Sequence, residues 1–162
     1  MGIKNQSVTQ GRTTLLDAVN VLLANIGEQP INSLETEQID ESKQAERTIL
    51  EFHKEGQTKG WSWNTEFQYP FQKDSITKEI TVPENILQFA LDPYLYAGRY
   101  QLRGQRIYDL QERRYIMEEI VNEIKADVIW LLPWDDVPEA YNRWVTIRAS
   151  RVFTARVLGS DA

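Results

Sequence analysis

The sequence predicts an α+β protein with a helical core, formed by two N-terminal helices and one C-terminal helix, and a β-rich region inserted between them. Apolar residues recur at helical spacing before Gly60 and after Pro133. Between these points the chain carries short alternating or β-prone runs separated by glycine or proline. Because 162 residues with 41% hydrophobic content can bury a sizeable core, we expect one domain.

The predicted domain has three parts, whose boundaries follow the change from helical to alternating periodicity. Residues 1–12 are polar and are expected to form a flexible N-terminus. Residues 13–60 and 134–160 are expected to form the helical core, and residues 61–133 the β-rich insertion.

The first helix is marked by Thr14 and Asp17, which have the spacing of a capping box, and by Gly27, which ends it. Apolar residues repeat at helical spacing between these points, namely Leu15, Val19, Leu22 and Ile26. Pro30 prevents the helix from resuming, so residues 29–38 are expected to form a loop.

The second helix is expected from about Asp40 to Lys59, with Gly60 as its exit. Ala45, Ile49 and Phe52 form its apolar face. Gly56 weakens a helix by roughly 1 kcal/mol relative to alanine, so packing of that face must hold this helix together.

Short strands are expected in the insertion. Phe67, Tyr69 and Phe71 have the alternation of a half-buried strand, and Pro70 places that strand at a sheet edge. Residues 80–82 are predicted as a strand that ends at Pro83. Residues 100–102 and 106–108 are predicted as a hairpin with its turn at Arg103-Gly104.

The last part of the chain predicts a buried strand followed by a helix. Residues 127–132 are apolar and β-prone after their first position, and Pro133 stops the pairing. The helix then has Asp135 or Asp136 as its cap, Pro138 in its first turn, Glu139 at the positive end of its dipole and Gly159 after its last turn.

Three segments carry a family resemblance. Residues 126–161, ADVIWLLPWDDVPEAYNRWVTIRASRVFTARVLGSD, resemble the C-terminal core of the tail tubular protein A family, the head-to-tail adaptor of short-tailed bacteriophages of the autographivirus type. Residues 16–34, LDAVNVLLANIGEQPINSL, and the motif GWSWN at residues 60–64 are similar to the opening of that family. Residues 106–109, RIYD, resemble its strand ending in a tyrosine-aspartate pair. The segments occur in family order.

The resemblance implies a structural protein of the virion tail that is assembled in the bacterial host cytoplasm. It implies no catalytic, cofactor-binding or metal-binding residues. It also implies a homo-oligomeric ring, a dodecamer, with the portal protein above and the tail nozzle, tail tubular protein B, below. A tail fibre is a further implied partner, and genomic DNA would pass through the lumen without sequence-specific binding.

The resemblance also bears on two regions that the residues leave open. Residues 112–125 fit a helix, because Ile116, Ile120 and Ile124 have a spacing of four, whereas the resemblance favours a strand. Members of the family usually continue past the glycine-serine pair, here residues 159–160, into a further helical segment, whereas this sequence ends at Ala162.

Composition excludes several classes of function. A net charge of −6 argues against a protein that grips nucleic acid, because such affinity comes from lysine and arginine. The absence of cysteine excludes disulfides and thiolate metal sites. No apolar run approaches the length that spans a bilayer, so no membrane partner is expected.

Asp135, Asp136 and Glu139 suggest an alternative function, a carbohydrate-active or sugar-binding tail component. Paired carboxylates can supply the acid and base of glycoside hydrolysis, and aromatic residues lie nearby in the sequence. All three are also expected at a helix start for capping and dipole reasons. The direction of these carboxylates distinguishes the two functions. Carboxylates that face a cleft with aromatic residues would support the enzyme, whereas carboxylates that bond to backbone N–H groups of the last helix would support the adaptor.

Other side chains are expected to be structural. His53 is the only histidine and is expected at the boundary of the second helix, since no second histidine or cysteine can join it as a ligand. Trp61 and Trp63 share a strand parity and are expected in the core at the corner after that helix. Four arginines of the last helix do not share one narrow stripe, which favours scattered salt bridges, within the chain or to a neighbouring subunit, over a DNA-reading helix: Arg143, Arg148, Arg151 and Arg156.

Overall fold

The computed structural model describes residues 11–35, 39–120 and 122–159, and it confirms the α+β class. In chain order the described elements are helices α1 (Leu15–Asn25) and α2 (Asp40–Gln57), strands β1 (Thr65–Gln72) and β2 (Ile86–Leu91), helix α3 (Pro93–Tyr96), strands β3 (Tyr100–Arg103), β4 (Arg106–Asp109) and β5 (Glu123–Trp130), and helix α4 (Glu139–Leu158). A 3₁₀ turn at Trp134–Asp136 precedes α4. The predicted flexible N-terminus, residues 1–12, lies mostly outside the described residues.

The chain divides into two compact units. The helical unit consists of Met1–Gly56 and Pro133–Ala162, and the sheet unit consists of Gln57–Leu132. The expectation of one domain, with a helical core of residues 13–60 and 134–160 and an insertion of residues 61–133, stays a prediction.

Helix α1 begins with the predicted capping box. The Thr14 hydroxyl accepts the Asp17 N–H at 3.0 Å, and the Asp17 carboxylate accepts the Thr14 N–H at 3.0 Å. These bonds satisfy two N–H groups that a helix start leaves without intrahelical partners. Gly27 follows the helix with a φ of 80°, which is the conformation expected of a glycine after a helix end.

The interior of the helical unit is formed by apolar side chains of α1, α2 and α4. The predicted apolar face of α2 is buried, and the buried set comprises Ala18, Val19, Leu22 and Leu23 of α1, Ala45, Ile49 and Phe52 of α2, and Tyr141, Val145, Ala149 and Phe153 of α4. A polar bond joins α1 to α4, because Asn25 Nδ2 donates to the Ser150 hydroxyl. Burial of these side chains is the main stabilising contribution in this unit.

Helix α4 starts later than predicted and without the predicted cap. Asp135 and Asp136 lie in the 3₁₀ turn, and Pro138 occupies the N-cap position with no side-chain hydrogen bond. The prediction that Asp135 or Asp136 caps the helix is therefore wrong. Proline disfavours helical geometry in the residue before it, and Val137 is extended with a ψ of 158°, so α-helical bonding begins only after Pro138. Gly159 follows the helix, as predicted, and has a φ of 78°.

The sheet unit contains a three-stranded antiparallel sheet, in the order β1-β5-β2, and the β3–β4 hairpin. The predicted edge position of the strand with Pro70 is confirmed, since β1 lies at one side of this sheet. The core comprises Phe71, Ile80, Val82, Ile107, Met117, Ile120, Ile124, Ala126 and Val128. Strand β5 supplies three of these side chains because it is central and covered on one face.

A bulge interrupts the predicted alternation in β1. Glu66 pairs with Val128 and Tyr69 with Ala126, so two residues of β1 lie opposite Asp127 alone. Gln68 has a φ of 54° there, and its N–H donates to the Asp127 carboxylate at 2.9 Å. The bulge turns the side chains of the residues before it to the opposite face of the sheet. Phe67 is therefore 77% exposed, and its predicted place on the buried face with Phe71 is wrong.

The hairpin forms as predicted, with its turn one residue later. Arg103 pairs with Arg106, so the turn is Gly104-Gln105, and Gly104 has a φ of 62°. Residues 80–82 do not form the predicted continuous strand. They make isolated bridges, Lys73 with Ile80 and Thr81 with Arg106, while Ile80 and Val82 still reach the core.

Residues 112–125 form neither the strand nor the alternative helix over most of their length. Turns occupy residues 111–113 and 118–119, and strand β5 begins only at Glu123. Met117 and Ile120 enter the core individually from this irregular segment, so burial there has no single period. The strand predicted at residues 127–132 is correct in kind, but β5 starts four residues earlier and ends at Trp130. Residue 121 lies outside the described residues.

Candidate functional site

The corner between α2 and β1 is closed by a buried glutamine. Gln57 is fully buried, its Nε2 donates to the Leu132 carbonyl at 3.0 Å, and its Oε1 accepts the Leu132 N–H at 2.9 Å. An amide side chain has one acceptor and one donor group, so it can serve both backbone groups of a single residue. The chain beyond the end of β5 is thereby held at the residue where the sheet unit begins.

Asn64, the last residue of the GWSWN motif, fixes the same corner from the other side. It is 1% exposed, and its Nδ2 donates to the carbonyls of Gln57 and Trp130, each at 3.0 Å. Its Oδ1 accepts the Trp61 N–H at 2.7 Å. All the polar groups of this side chain are thus used within the corner. Burial without such partners would be costly, which explains why an asparagine is tolerated here.

Gly60 is required at this corner for two reasons. Its φ is 75°, and a Cβ at this position would lie 2.8 Å from Ile129 Cδ1 and 3.3 Å from Thr65 Oγ1. A side chain would therefore meet both backbone strain and β5. The predicted positive φ of Gly60 is confirmed, but α2 ends at Gln57, earlier than the predicted end at about Lys59.

Trp61 and Trp63 do not occupy the core, contrary to the prediction. Trp61 is 38% exposed and Trp63 is half-buried, and both precede β1 in a turn rather than on a strand face. Their rings stack on one another with centroids 6.1 Å apart and planes inclined by 11°. The buried side chain of the motif is that of Asn64, a small polar residue, and not one of the large apolar rings.

The three carboxylates considered for catalysis have different environments. Asp135 and Asp136 are exposed on the 3₁₀ turn, whereas Glu139 is partly buried. The Glu139 carboxylate accepts the Thr13 N–H at 2.8 Å and the Thr13 hydroxyl at 2.5 Å. It therefore holds the residue before the N-cap of α1. Glu139 therefore fits neither predicted direction, because it bonds to Thr13, which precedes α1, rather than to backbone N–H groups of the last helix.

Further bonds hold the same N-terminal segment. Trp134 is buried, and its Nε1 donates to the Thr13 carbonyl at 2.9 Å. Arg12 Nη2 donates to the carbonyls of Asp135 at 2.6 Å and Val137 at 2.9 Å. One guanidinium thus satisfies a carbonyl of the 3₁₀ turn and the carbonyl of the residue that follows it. The 3₁₀ turn thus serves as an anchor for the start of α1.

His53 lies inside the helical unit and not at its boundary as predicted. It is 5% exposed, and its ring centroid lies 5.4 Å from that of Trp134 and 5.8 Å from that of Tyr141. The Tyr141 hydroxyl donates to the His53 carbonyl at 2.7 Å. Burial, followed by the nearby charge of Glu55, raises the pKa of Tyr141 well above its ordinary range. This hydroxyl therefore acts as a neutral donor.

Gly56 is explained by the same aromatic group. A Cβ at this position would lie 2.5 Å from Tyr141 Oη and 2.6 Å from Trp144 Cζ3. The glycine lets α4 pack two rings directly on the backbone of α2. Close packing of this kind offsets the cost of a glycine within the helix, as the sequence required.

Two of the four arginines of α4 form salt bridges within the chain. Arg148 pairs with Glu55 at 3.2 Å and lies over the rings of Phe52 and Trp144. Arg156 pairs with Glu51 at 3.0 Å. The Arg156 hydrogen bond lowers the pKa of the Glu51 carboxyl, although both groups are exposed and the contribution to stability is small. Arg143 and Arg151 are exposed on another face of α4.

In the sheet unit, Asp109 of the RIYD segment is the most strongly held carboxylate. It is 2% exposed, and Arg99 Nε and Nη2 donate to it at 3.0 and 2.7 Å. It also accepts the N–H groups of Gln111 and Glu112 at 2.9 and 3.1 Å. The Arg99 hydrogen bonds, and then those backbone groups, lower the pKa of Asp109 below its ordinary value of 3.8. The charged form therefore organises the turn after β4.

Two general features concern ligands and membranes. Within residues 11–35, 39–120 and 122–159, no group of three or more histidine, aspartate or glutamate side chains is placed to hold a metal ion. No helix in the described part of the chain combines the length and apolar character needed to cross a bilayer. The prediction that the chain has no catalytic, cofactor-binding or metal-binding residues stays a prediction.

Comparison with known families identifies the chain. No curated protein matches it. The family model described as Tail tubular protein matches residues 16–162, a range that includes the GWSWN motif, the corner it forms and the whole of α4. Members of this family are structural components of the virion tail, where they assemble with other virion proteins. The chain belongs to the tail tubular protein family of phages and is a structural protein of the virion tail.

Proposed function

We propose that the protein is a head-to-tail adaptor of the tail tubular protein A type. Its copies would close into a dodecameric ring between the portal protein and the tail nozzle, with a tail fibre as a further partner, and assembly would take place in the host cytoplasm. The family match over residues 16–162 carries the proposal. The three resembling segments support the adaptor type because they occur in the order of that type.

The mechanism of such an adaptor is geometric. A ring of identical copies closes when each copy uses two different faces and the rotation between neighbours completes a circle. The ring would match the symmetry of the portal to that of the tail and seal the joint. A net charge of −6 supports free passage of DNA through the lumen, since an acidic wall repels the phosphate backbone.

A sheet unit whose two ends are held together supports the same role, because an adaptor must present a defined surface to its partners. The polar groups of Gln57 and Asn64 are satisfied within the corner that opens and closes the sheet unit. The carbohydrate-active alternative has no such support. Both oxygens of Glu139 bind Thr13, so a sugar at that carboxylate would compete with the bonds that hold the N-terminal segment.

The mass of the protein in solution tests the proposal. We expect a monomer or weak associations for the isolated protein at micromolar concentration, and a closed ring when purified portal is added. Native mass spectrometry and light scattering would give the number of copies. A stable ring without portal would contradict the dependence on a partner, whereas a protein that stays monomeric on assembled portals would contradict the adaptor function itself.

A further inference from the structure

Residues 74–79 form a tight loop that presents an isoleucine to solvent, and we call them the tip loop. Ile76 is 88% exposed although its side chain is wholly apolar. The Asp74 carboxylate accepts the N–H groups of Ile76 at 2.8 Å and Thr77 at 2.7 Å, and the Lys78 N–H donates to the Asp74 carbonyl at 3.0 Å. These bonds hold Ile76 in one position. A single exposed apolar side chain is ordinary on a protein surface, so its meaning depends on whether a matching surface exists.

An apolar groove that matches this side chain lies in the same sheet unit, between β2, α3 and β3. Its volume is about 320 Å³, and most of its lining is aromatic or aliphatic: Phe89, Leu91, Pro93, Tyr96, Tyr100 and Leu102. Tyr94 and Leu95 of α3 are 94% and 66% exposed, so this side of the unit shows further apolar surface to solvent. We call this pocket the β2–β3 groove.

The tip loop and the β2–β3 groove lie on opposite sides of the sheet unit. In the three-stranded sheet the loop follows β1 and the groove adjoins β2, and β5 lies between these two strands. At the hairpin, residues 80–82 leave the loop and contact β4, where Thr81 bridges Arg106, whereas the groove adjoins β3 on the other side of β4. Each copy of the chain therefore carries the two features on two different sides.

Both features also lie toward the same end of β5. Gln72, the last residue of β1, pairs with Glu123, the first residue of β5. Leu91, which lines the groove, pairs with Ala126, a few residues further along β5. A neighbouring copy beside the sheet, in the same orientation, thus brings its tip loop level with the groove. Contacts between two different surfaces generate a closed ring when the rotation between neighbours completes a circle.

The charges beside the two features are complementary. Lys78 is exposed next to the tip, and no salt bridge joins it to another described residue. The acidic residues of the loop are engaged elsewhere, Asp74 by N–H groups of the loop and Glu79 by Arg106 at 3.2 Å. Asp92 lines the groove, where one of its oxygens accepts two N–H groups of α3, and in the described ranges it too has no salt bridge. A lysine from another copy can pair with this carboxylate without breaking an existing salt bridge.

We infer that the tip loop of one copy docks into the β2–β3 groove of the next copy, an inference that rests on the proposed ring. Ile76 enters the apolar groove, and Lys78 meets Asp92. Burial of the isoleucine against aromatic rings supplies the favourable free energy of this contact, and the charge pair fixes its orientation. A contact between the same side of two copies would instead give an isologous dimer.

Cysteine cross-linking tests the contact, because the sequence contains no cysteine. The test variant carries Ile76→Cys at the tip and Gln101→Cys on the exposed lining of the groove. Assembled on portal and oxidised, it should give a ladder of linked oligomers on a non-reducing gel, since a disulfide requires Cα atoms within about 7 Å. Each single-cysteine variant can give at most a dimer.

The matched control for cross-linking is Ile147→Cys with Gln101→Cys, which moves the first cysteine to an exposed position on α4. This control should give no ladder. A ladder as strong as that of the test variant would contradict a contact specific to the tip loop.

A charge at the tip gives an independent measure. Ile76→Glu should weaken ring formation on the portal at least about tenfold, because a carboxylate then replaces the apolar side chain in the groove and faces Asp92. Ile147→Glu, which places the same charge on an exposed isoleucine of α4, should form rings as wild type does. Both variants should keep the wild-type circular dichroism spectrum, because both positions are exposed.

The remaining outcomes each overturn the inference in a different way. If wild type forms rings, the double-cysteine variant gives no ladder and Ile76→Glu assembles normally, the contact is wrong while the adaptor function stands. If Ile76→Glu weakens the ring but no ladder forms, the tip loop binds a surface other than the groove. If Ile76→Glu keeps the ring but loses attachment of the tail nozzle, the tip loop binds the nozzle. If wild type forms no ring on the portal, the proposed function fails and this inference with it.

Discussion

The side chain of Asn64 donates to the carbonyl of Gln57 at 3.0 Å, which ties the last residue of the GWSWN motif to the last residue of α2. This bond spans the whole motif, and Trp61 and Gly60 lie within the loop that it closes. The same side chain reaches Trp130 at the end of β5. One amide therefore sets the entry and the exit of the sheet unit.

Replacing Asn64 should cost far more stability than replacing either neighbouring tryptophan. Asn64→Ala leaves the carbonyls of Gln57 and Trp130 without this donor, and we expect a loss of at least about 2 kcal/mol in the free energy of unfolding. Trp61→Ala is the control and should cost about 1 kcal/mol, because Trp61 is 38% exposed and stacks on Trp63 outside the core. Urea unfolding of both variants measures the difference. A Trp61→Ala variant less stable than Asn64→Ala would reverse this ranking.

Gly56→Ala should destabilise the protein although alanine is the better helix former. The added methyl gains roughly 1 kcal/mol in helix propensity, but it would overlap Tyr141 and Trp144, and overpacking of this kind typically costs about 1 to 3 kcal/mol. We expect a lower melting temperature by calorimetry. In a Tyr141→Phe background the same substitution should cost less, because the nearest atom is gone. An equal cost in both backgrounds would show that the hydroxyl is not what excludes the methyl.

Replacing Glu139 should lower the stability of the protein more than replacing Asp135 and Asp136 together. Glu139→Gln weakens the charge-assisted bonds to Thr13 and is expected to cost about 1 to 2 kcal/mol. The double variant Asp135→Asn with Asp136→Asn, which alters exposed side chains, should stay within about 0.5 kcal/mol of wild type. Thermal unfolding followed by circular dichroism measures both. A larger effect of the double variant would restore a capping role to that pair.

Asp109 should make the protein sensitive to acid. Its folded-state pKa lies below 3.8, chiefly because of Arg99, so its contribution to stability is complete above the unfolded value and is lost as pH falls through the folded value. Asp109→Asn should therefore be less stable than wild type at pH 7, and the difference should shrink below about pH 3.8. Unfolding at several pH values, with Asp136→Asn as the exposed control, measures this. A difference that stays constant with pH would mean that the charge of Asp109 is not involved.

The sequence predicted those elements whose determinants are local. The capping box of Thr14 and Asp17, the helical period of α2 and the hairpin around Gly104 each depend on a few neighbouring residues, and all three form. The positive φ of Gly60 and Gly159 was predictable for the same reason, since a glycine after a periodic run marks a helix end.

The errors arise where a partner distant in sequence decides the outcome. Alternation alone placed Phe67 inside, but the bulge opposite Asp127 turns it to solvent. Helix rules made Asp135 a cap, but Pro138 delays the helix. Trp61 and Trp63 were predicted to be buried because their rings are large, whereas the buried residue of this corner is Asn64, whose partners are up to 66 residues away. A polar residue at the end of an aromatic motif, with no evident local role, was the signal that could have indicated it.

The hydrogen bonds between the Gln57 side chain and the Leu132 backbone hold the two ends of the sheet unit together. The sheet unit starts and finishes at two residues that are hydrogen-bonded to each other, so its 76 residues leave the chain and return at a single point. Units with adjacent ends can be exchanged, circularly permuted or removed as cassettes, because the gap left behind is short. A brief linker from Gly56 to Pro133 would join the two parts of the helical unit into a miniature protein without the sheet unit. Different sheet units could likewise be grafted onto one helical unit.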